Sequence, residues 1–397
     1  MASFPNPTIQ IPFNKPFLAG NEFAYIQDAA ENLGKLSGNG YYTEKCQNYF
    51  EERYGFLRCF LTTSCTDALE MAAILLDIQE GDEVIVPSFT FVSTANSFAL
   101  RGAKIIFVDS QEGFPNLEVS QIESMITPKT KAIVAVHYAG VACPILELKA
   151  LAEKHDLFLI EDAAQAINSF LGDKPLGSIG HLSTFSFHET KNIHCGEGGM
   201  LVVNDPRFIQ RAEIIWEKGT NRSAYFRGEI DKYSWVDLGS SFLLSEINAA
   251  FLWAQLEKLE EIQNRRRQIW EDYQAWFSGD KKTPRVLPIP YLQILEEALL
   301  GLGPVIFQTH TGNYHIFYLL FENSELRQQY IQRLRRKGIL AVFHYQGLHK
   351  SAFIARAQPE TFQQSLPNAE KFSDCLLRLP LFYDLPKQVS SALNVKR

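Results

Sequence analysis

Four continuous apolar runs, within 83–87, 104–109, 132–136 and 157–162, constrain this chain more than anything else in it. They are rich in Val and Ile, do not alternate with polar residues, and are closed by polar residues. A strand that is apolar at every position must be covered on both faces, which is the signature of a mostly parallel sheet. The stretches between them supply helices: Leu69, Ala72, Ala73 and Leu76 fall on one helical face, as do Ile145, Leu148, Leu151 and Ala152. Strand and helix alternate, which predicts an α/β layered domain. Two further runs, 182–187 and 199–203, flank Gly196-Glu197-Gly198-Gly199, a turn that simple strand punctuation would also explain.

The second half of the chain reads differently. Ile247, Phe251, Ala254, Leu256, Leu259 and Ile262, with few breakers between 245 and 277, predict one long helix that bridges two domains. Past position 284 come Pro-rich and Gly-rich segments, an aromatic strand at 314–321, a basic helix at 324–337 and a strand at 339–344. We therefore expect a large domain at 1–250 that includes the amino-terminal segment. The long linking helix and a smaller α+β domain follow at 251–397.

With 397 residues, 46% of them hydrophobic, the chain has apolar material for more than one core. A net charge of -7 argues against nucleic acid as partner. The longest basic run, Arg265-Arg266-Arg267, reads as a solvated helix face. Six scattered cysteines without CxxC spacing, and an amino terminus lacking a basic and apolar leader pattern, point to a reducing cytoplasm. No apolar stretch approaches the roughly 20 residues that span a bilayer, so no membrane location is expected. The nine histidines lack zinc-like clustering, and no metal is expected.

In open α/β sheets, ligands bind beyond the carboxyl ends of the strands. Asp162 stands at such an end and Lys191 lies just beyond another. A lysine amine that forms a Schiff base, and a carboxylate that keeps a pyridine nitrogen protonated, are what pyridoxal phosphate chemistry needs. The alternative is that Asp162 caps a helix beginning at Ala163 and Lys191 is an exposed loop residue. A third element is Thr62-Thr63-Ser64-Cys65-Thr66, which precedes a helix at 67–76 and offers free N–H groups at its positive end. Such an end can hold a phosphate, though an ordinary Ser/Thr cap looks the same locally.

Ser64-Cys65-Thr66, the string from Gly81 to Phe91, Glu161-Asp162-Ala163-Ala164-Gln165, and Phe185-Ser186-Phe187-His188 through Lys191 occur in a shared order. That order resembles the DegT/DnrJ/StrS family of pyridoxal phosphate sugar aminotransferases, across nearly the whole chain. The resemblance implies the fold type I (aspartate aminotransferase-like) architecture of pyridoxal phosphate-dependent transferases. It makes Lys191 the Schiff-base lysine, Asp162 the pyridinium partner and Gln165 the residue near the cofactor's phenolic oxygen. Their three-residue spacing, at the first turn of a helix, puts Asp162 and Gln165 on one face. By the same resemblance Ser186 is a phosphate ligand, Ser64 and Cys65 form the phosphate loop, and Phe91 stacks on the ring. His188 and His194, near Lys191, either orient substrate or relay protons, or are simply polar residues on an active-site loop.

Strings outside the cofactor motif, Thr94-Ala95-Asn96 and those at 136–143, 217–222 and 341–345, resemble members of that family that aminate C4 of dTDP-linked 4-keto-6-deoxyhexoses. This implies L-glutamate as donor, a nucleotide-linked keto sugar as acceptor, and a homodimer with shared sites. Candidates for holding sugar or diphosphate are Lys218, Asn221, Arg222, His315, His344 and Tyr345, each of which also reads as surface. Ser241 stands where most members have an asparagine that reaches the neighbouring subunit's cofactor. Being shorter, it puts that contact in question. The final helix of the family is expected to be short or absent, with 390–397 loosely packed. A regulator that kept the fold and lost turnover is the competing reading.

Overall fold

The structure, a computed structural model, describes residues 10–394 except Pro284 and Thr311. Its centre is a seven-stranded sheet: β1 (Arg58–Thr62), β2 (Glu83–Pro87), β3 (Lys104–Val108), β4 (Thr130–Val136), β5 (Phe158–Asp162), β6 (Leu182–Ser186) and β7 (Gly199–Val203). The order across it is β1-β7-β6-β5-β4-β2-β3. Strands β2 to β6 pair in parallel, and β7 runs antiparallel to both of its neighbours. The mostly parallel sheet expected from the apolar runs is present.

Both faces of the sheet are covered, so alternate residues of one strand enter different cores. Val84, Val86, Ala132 and Val134 pack in one cluster with the helices Cys65–Leu75 and Ile209–Trp216. Ile85, Ile133, Ala135 and Leu159 face the other way, onto the helix Ile145–Lys154. Burial on both sides removes the polar alternation that a half-exposed strand would show. Apolar burial of this kind stabilises by about 25 cal/mol per Å² removed from water.

The long helix expected at 245–277 is two helices, Glu246–Glu257 and Leu259–Phe277, broken at Lys258. The expected apolar face holds only in part in the first of them, where Ala254 and Leu256 are buried as expected. Ile247 is exposed and Phe251 only partly buried, while Ala249, Ala250 and Leu252 are fully enclosed. The break lets each helix turn a different side to its core. Arg266, read as part of a solvated face, is buried and donates to the carbonyls of Tyr314 and His315 at 3.2 and 2.5 Å.

A second sheet, β8 (Ile306–Phe307), β9 (Tyr318–Leu320), β10 (Val342–Phe343) and β11 (Leu376–Arg378), has the order β8-β9-β11-β10. The expected strands at 314–321 and 339–344 are thus shorter than the apolar pattern suggests. The carbonyls of residues 314, 315 and 316 bond to Arg266 and Trp270 instead of to a ladder. Ile11 bridges to Ile339 and packs in the cluster of the second sheet. The closing helix, expected to be short or absent, is formed at Leu385–Asn394 with Leu385 and Val389 buried. An amphipathic turn that buries these two leaves 390–394 ordered as helix, while 395–397 lie outside the described residues. Among the described residues no helix is long and apolar enough to cross a membrane, and no cluster of His, Cys, Asp and Glu is arranged for a metal ion.

Candidate active site

The sheet register brings the site together. Ser186 pairs with Gly199 and Gly199 with Thr62, while Asp162 pairs with both Val136 and Thr184. The ends of five strands therefore meet at one edge, where a cavity of about 550 Å³ opens. Ser64, Cys65, Phe91, Asp162, Gln165, Ser186 and Lys191 all line it, from segments up to 127 residues apart in sequence. From the second sheet come His315, His344, Tyr345 and Arg378.

Side-chain alternation along β5 assigns its two carboxylates different tasks. Glu161 points into the far face, where it accepts from the N–H groups of Gly177, Ile179 and Gly180 at 2.8, 2.7 and 2.5 Å and meets His137 Nε2 at 2.8 Å. Burial opposes its charge, but His137 and these N–H groups hold its carboxyl below the usual range. Asp162 faces the cavity, accepting from the Thr94 hydroxyl at 2.7 Å and the Ala164 N–H at 3.1 Å. Burial raises its carboxyl above the ordinary value, while Thr94, Ala164 and Lys191 pull the other way. A carboxylate so placed gains from a cation in front of it.

No helix begins at Ala163; the chain turns instead, with Ala166 N–H bonding to the Ala163 carbonyl. The helical-face argument for Asp162 and Gln165 is therefore corrected, yet both line the cavity through the turn. Gln165 is fixed by accepting from Ala139 N–H at 2.7 Å and donating to the Tyr345 hydroxyl at 2.8 Å. Lys191 Nζ has neither a hydrogen bond nor an ion pair among the described residues. Burial lowers its ammonium below the usual value; Cys65 and Asp162 oppose that, and Arg378 adds to it.

The loop expected to hold a phosphate also has a tertiary cause. Ser64 caps the helix Cys65–Leu75 by accepting from Asp67 N–H at 3.0 Å. The N–H groups of Cys65 and Thr66 find no acceptor among the described residues. Gly199 is more than punctuation: a Cβ there would stand 2.3 Å from the Cys65 nitrogen. Only glycine lets β7 approach this helix end so closely. Ser186, paired with Gly199 in the sheet, lines the cavity too, and Phe91, 55% exposed, presents its ring to it.

Pyridoxal 5′-phosphate fits this set: free N–H groups and hydroxyls for a phosphate, an aromatic face, a buried carboxylate for a ring cation, and an unpaired amine. The other expected residues separate into two groups. His315, His344 and Tyr345 line the cavity. His315 Nδ1 bonds to Asn192 Oδ1 at 2.8 Å and His344 Nδ1 to the Tyr138 hydroxyl at 2.7 Å, and burial pushes both imidazoles well below their ordinary values. Lys218, Asn221, Arg222 and Ser241 do not line this cavity; Lys218, Arg222 and Ser241 are exposed. His188 lines it, bonded to Thr190 at 2.8 Å, whereas His194 is buried against the Phe17 carbonyl at 3.0 Å.

Sequence reasoning missed Arg378, Phe13 and Asn14 in the cavity wall and gave Thr94 no role. A lone arginine ending a short apolar strand, Leu376-Leu377-Arg378, was the available signal for the first.

Residues 18–391 match the profile of the DegT/DnrJ/EryC1/StrS aminotransferase family. Among solved structures, the chain is similar to an apo-form putative sugar aminotransferase from Streptococcus pneumoniae, at 22% identity and a TM-score of 0.80, covering 98% of this chain and 99% of that one. PseC of Helicobacter pylori, an aminotransferase involved in the biosynthesis of pseudoaminic acid, matches at 21% identity and 0.78, covering 96% and 99%. DesV of S. venezuelae matches at 28% identity and 0.77, covering 95% and 93%.

Proposed function

Because this chain belongs to the DegT/DnrJ/EryC1/StrS aminotransferase family and its cofactor is pyridoxal 5′-phosphate, we propose that it transfers an amino group from L-glutamate to C4 of a nucleotide-linked 4-keto-6-deoxyhexose. The specific reading is dTDP-4-dehydro-6-deoxy-D-glucose to dTDP-4-amino-4,6-dideoxy-D-galactose. The observation that carries aminotransfer is Lys191 Nζ, unpaired in the cavity that Asp162 also lines. The specific sugar is supported by the strings at 94–96, 136–143, 217–222 and 341–345.

When bound, the cofactor supplies an electrophilic carbon for amines and a ring that accepts electrons. Ser64, Cys65 and Ser186 would hold its phosphate, Phe91 its ring face, Asp162 its ring nitrogen and Gln165 its phenolic oxygen. Lys191 Nζ takes the proton from Cα of the amino donor and, in the second half-reaction, delivers one to C4 of the sugar. It accepts the proton as the neutral amine, the form that burial favours, and delivers one as the ammonium so formed. One side of the sugar carbon has to face Lys191, so the configuration of the new amine follows from how the hexose lies.

The reading includes a homodimer in the cytoplasm. Phe226, Tyr233, Trp235, Val236 and Leu238 form an exposed apolar stretch beside Lys218, Asn221, Arg222 and Ser241. A patch of that kind fits an interface, and across a two-fold axis those polar residues would serve the neighbouring subunit's cavity. The division into 1–250 and 251–397 is kept as part of this proposal, with the two sheets as its support.

The test is incubation of purified enzyme with L-glutamate and a panel of dTDP- and UDP-linked 4-keto and 3-keto sugars, with products assigned by NMR. Amination of a different sugar carbon, nucleotide or configuration would replace the specific substrate. Amination of none would favour a regulator.

A further inference from the structure

Arg378 ends β11, in register with Tyr318 on one side and Val342 on the other, so the second sheet delivers it to the cavity wall. Its guanidinium is poorly provided for. Nη2 makes one long bond, 3.4 Å, to the Phe343 carbonyl, and Nε is enclosed without any partner. The ring of Phe13 lies 4.6 Å from the guanidinium carbon. No carboxylate pairs with it among the described residues, which leaves most of its N–H donors open. A partly buried cation whose Nε is enclosed without a partner gains when a ligand brings the counter-charge.

The neighbouring groups define which anion fits. The Asn192 amide nitrogen donates to Gln263 Oε1 and to the Asn313 carbonyl, each at 2.8 Å. Its Oδ1 therefore faces His315, whose Nδ1 must donate, leaving Nε2 as a neutral acceptor. His344, bonded to the buried Tyr138 hydroxyl behind it, adds a further polar but uncharged group to the same wall. Arg378 is thus the single fixed positive charge there besides Lys191 among the described lining residues, matched to one carboxylate more than to a diphosphate. It also lies near enough to Lys191 for its charge to be felt by the amine. A diphosphate on C1 of a hexose is held across the sugar ring from a C4 ketone, whereas an amino acid carries its carboxylate on the very carbon that loses the proton.

We propose that Arg378 is the carboxylate receptor for the amino donor, seating a donor carboxylate against its guanidinium fork while the donor's Cα faces Lys191. This rests on the aminotransfer reading above. Arg378 then sets donor specificity, selecting amino acids and their keto products over amines that carry no carboxylate.

The experiment separates the two half-reactions in the holoenzyme. Conversion of the bound cofactor by L-glutamate is followed by absorbance, and its reconversion by the nucleotide keto sugar is followed in turn. For Arg378→Gln the concentration of L-glutamate giving half-maximal rate rises about 100-fold, as expected for loss of a two-pronged charged contact. Arg378→Lys, which keeps the charge and loses the fork, falls between. The keto-sugar half-reaction stays within about 3-fold, below the 1.4 kcal/mol that marks a decade. A second readout is calorimetric binding of succinate, an unreactive dicarboxylate, which the wild type binds and Arg378→Gln does not. Loss confined to the keto-sugar step would make Arg378 a diphosphate ligand and overturn the proposal. So would equal loss in both steps, or no loss in either. If the wild type turned over no amino donor at all, the aminotransfer reading would fail, whereas wild-type succinate binding unchanged by both substitutions would refute the role of Arg378 alone.

Discussion

The charge on Asp162 depends on Thr94, and Thr94→Val removes that support while nearly preserving shape. Thr94 is fully buried, donates to Asp162 Oδ2 at 2.7 Å and meets the Thr90 hydroxyl at 2.9 Å. Valine replaces the hydroxyl with a methyl of similar size, which also takes a partner from the Thr90 hydroxyl. A hydrogen bond to a charged group contributes about 1.5–3 kcal/mol. Burial already favours the neutral acid, so without Thr94 the carboxyl moves further up and the anion proposed to face the cofactor's ring nitrogen is weakened. The same energy, applied to cofactor binding, predicts a roughly 10–100-fold weaker affinity for pyridoxal phosphate, at 1.4 kcal/mol per decade. The measurement is a titration of apoenzyme with cofactor at several pH values, with circular dichroism to verify folding. The weakening should be largest at lower pH, where the raised carboxyl is protonated first, and should shrink as pH rises. A folded Thr94→Val protein with wild-type affinity at every pH would refute the claim that Thr94 holds Asp162 charged.

Lys191→Ala should abolish turnover yet retain cofactor through the phosphate loop; mass spectrometry after borohydride should find the cofactor fixed to Lys191 in wild type and to nothing in the variant. Gly199→Ala should displace the cap at Cys65, costing about 1–3 kcal/mol in a denaturant melt and lowering cofactor affinity; unchanged affinity would count against the close approach. Glu161→Gln leaves three N–H groups and His137 without a carboxylate and should cost about 3–5 kcal/mol at neutral pH. Because the folded carboxyl lies below its unfolded value, that contribution is present above the unfolded value and is lost as pH falls through the folded one, so the two melting curves should converge in acid. Trp235→Asp, placing charge at a side chain 77% exposed, should shift sedimentation from dimer to monomer; a monomeric wild type would refute the assembly.

Much of the large sheet was legible because its strands are buried on both faces. Runs such as 132–136 and 199–203 need no knowledge of their neighbours to be recognised as strands. The second sheet was overestimated at 314–321 because an aromatic run carries the same signal whether its carbonyls join a ladder or bond to Arg266 and Trp270. The single long helix failed for a related reason. Apolar residues at 247 and 251 suggested a core face, but the neighbouring elements bury the side that carries Ala249, Ala250 and Leu252. The closing helix was undervalued because two buried contacts, Leu385 and Val389, are invisible without the surface that receives them.

The chemistry divides in the same way. Asp162 at a strand end, Lys191 beyond another and a capped helix at Ser64 are local patterns, and the amino-acid order alone declares them. Their convergence on one cavity, Thr94 beneath Asp162, the need for glycine at 199, and the unpaired Arg378 all come from long-range packing. A side chain's charge and reach are written in its residue type, but its solvation and its partners exist only once distant segments have been brought together. That is why Lys191 could be named before the fold was known, and Arg378 only after it.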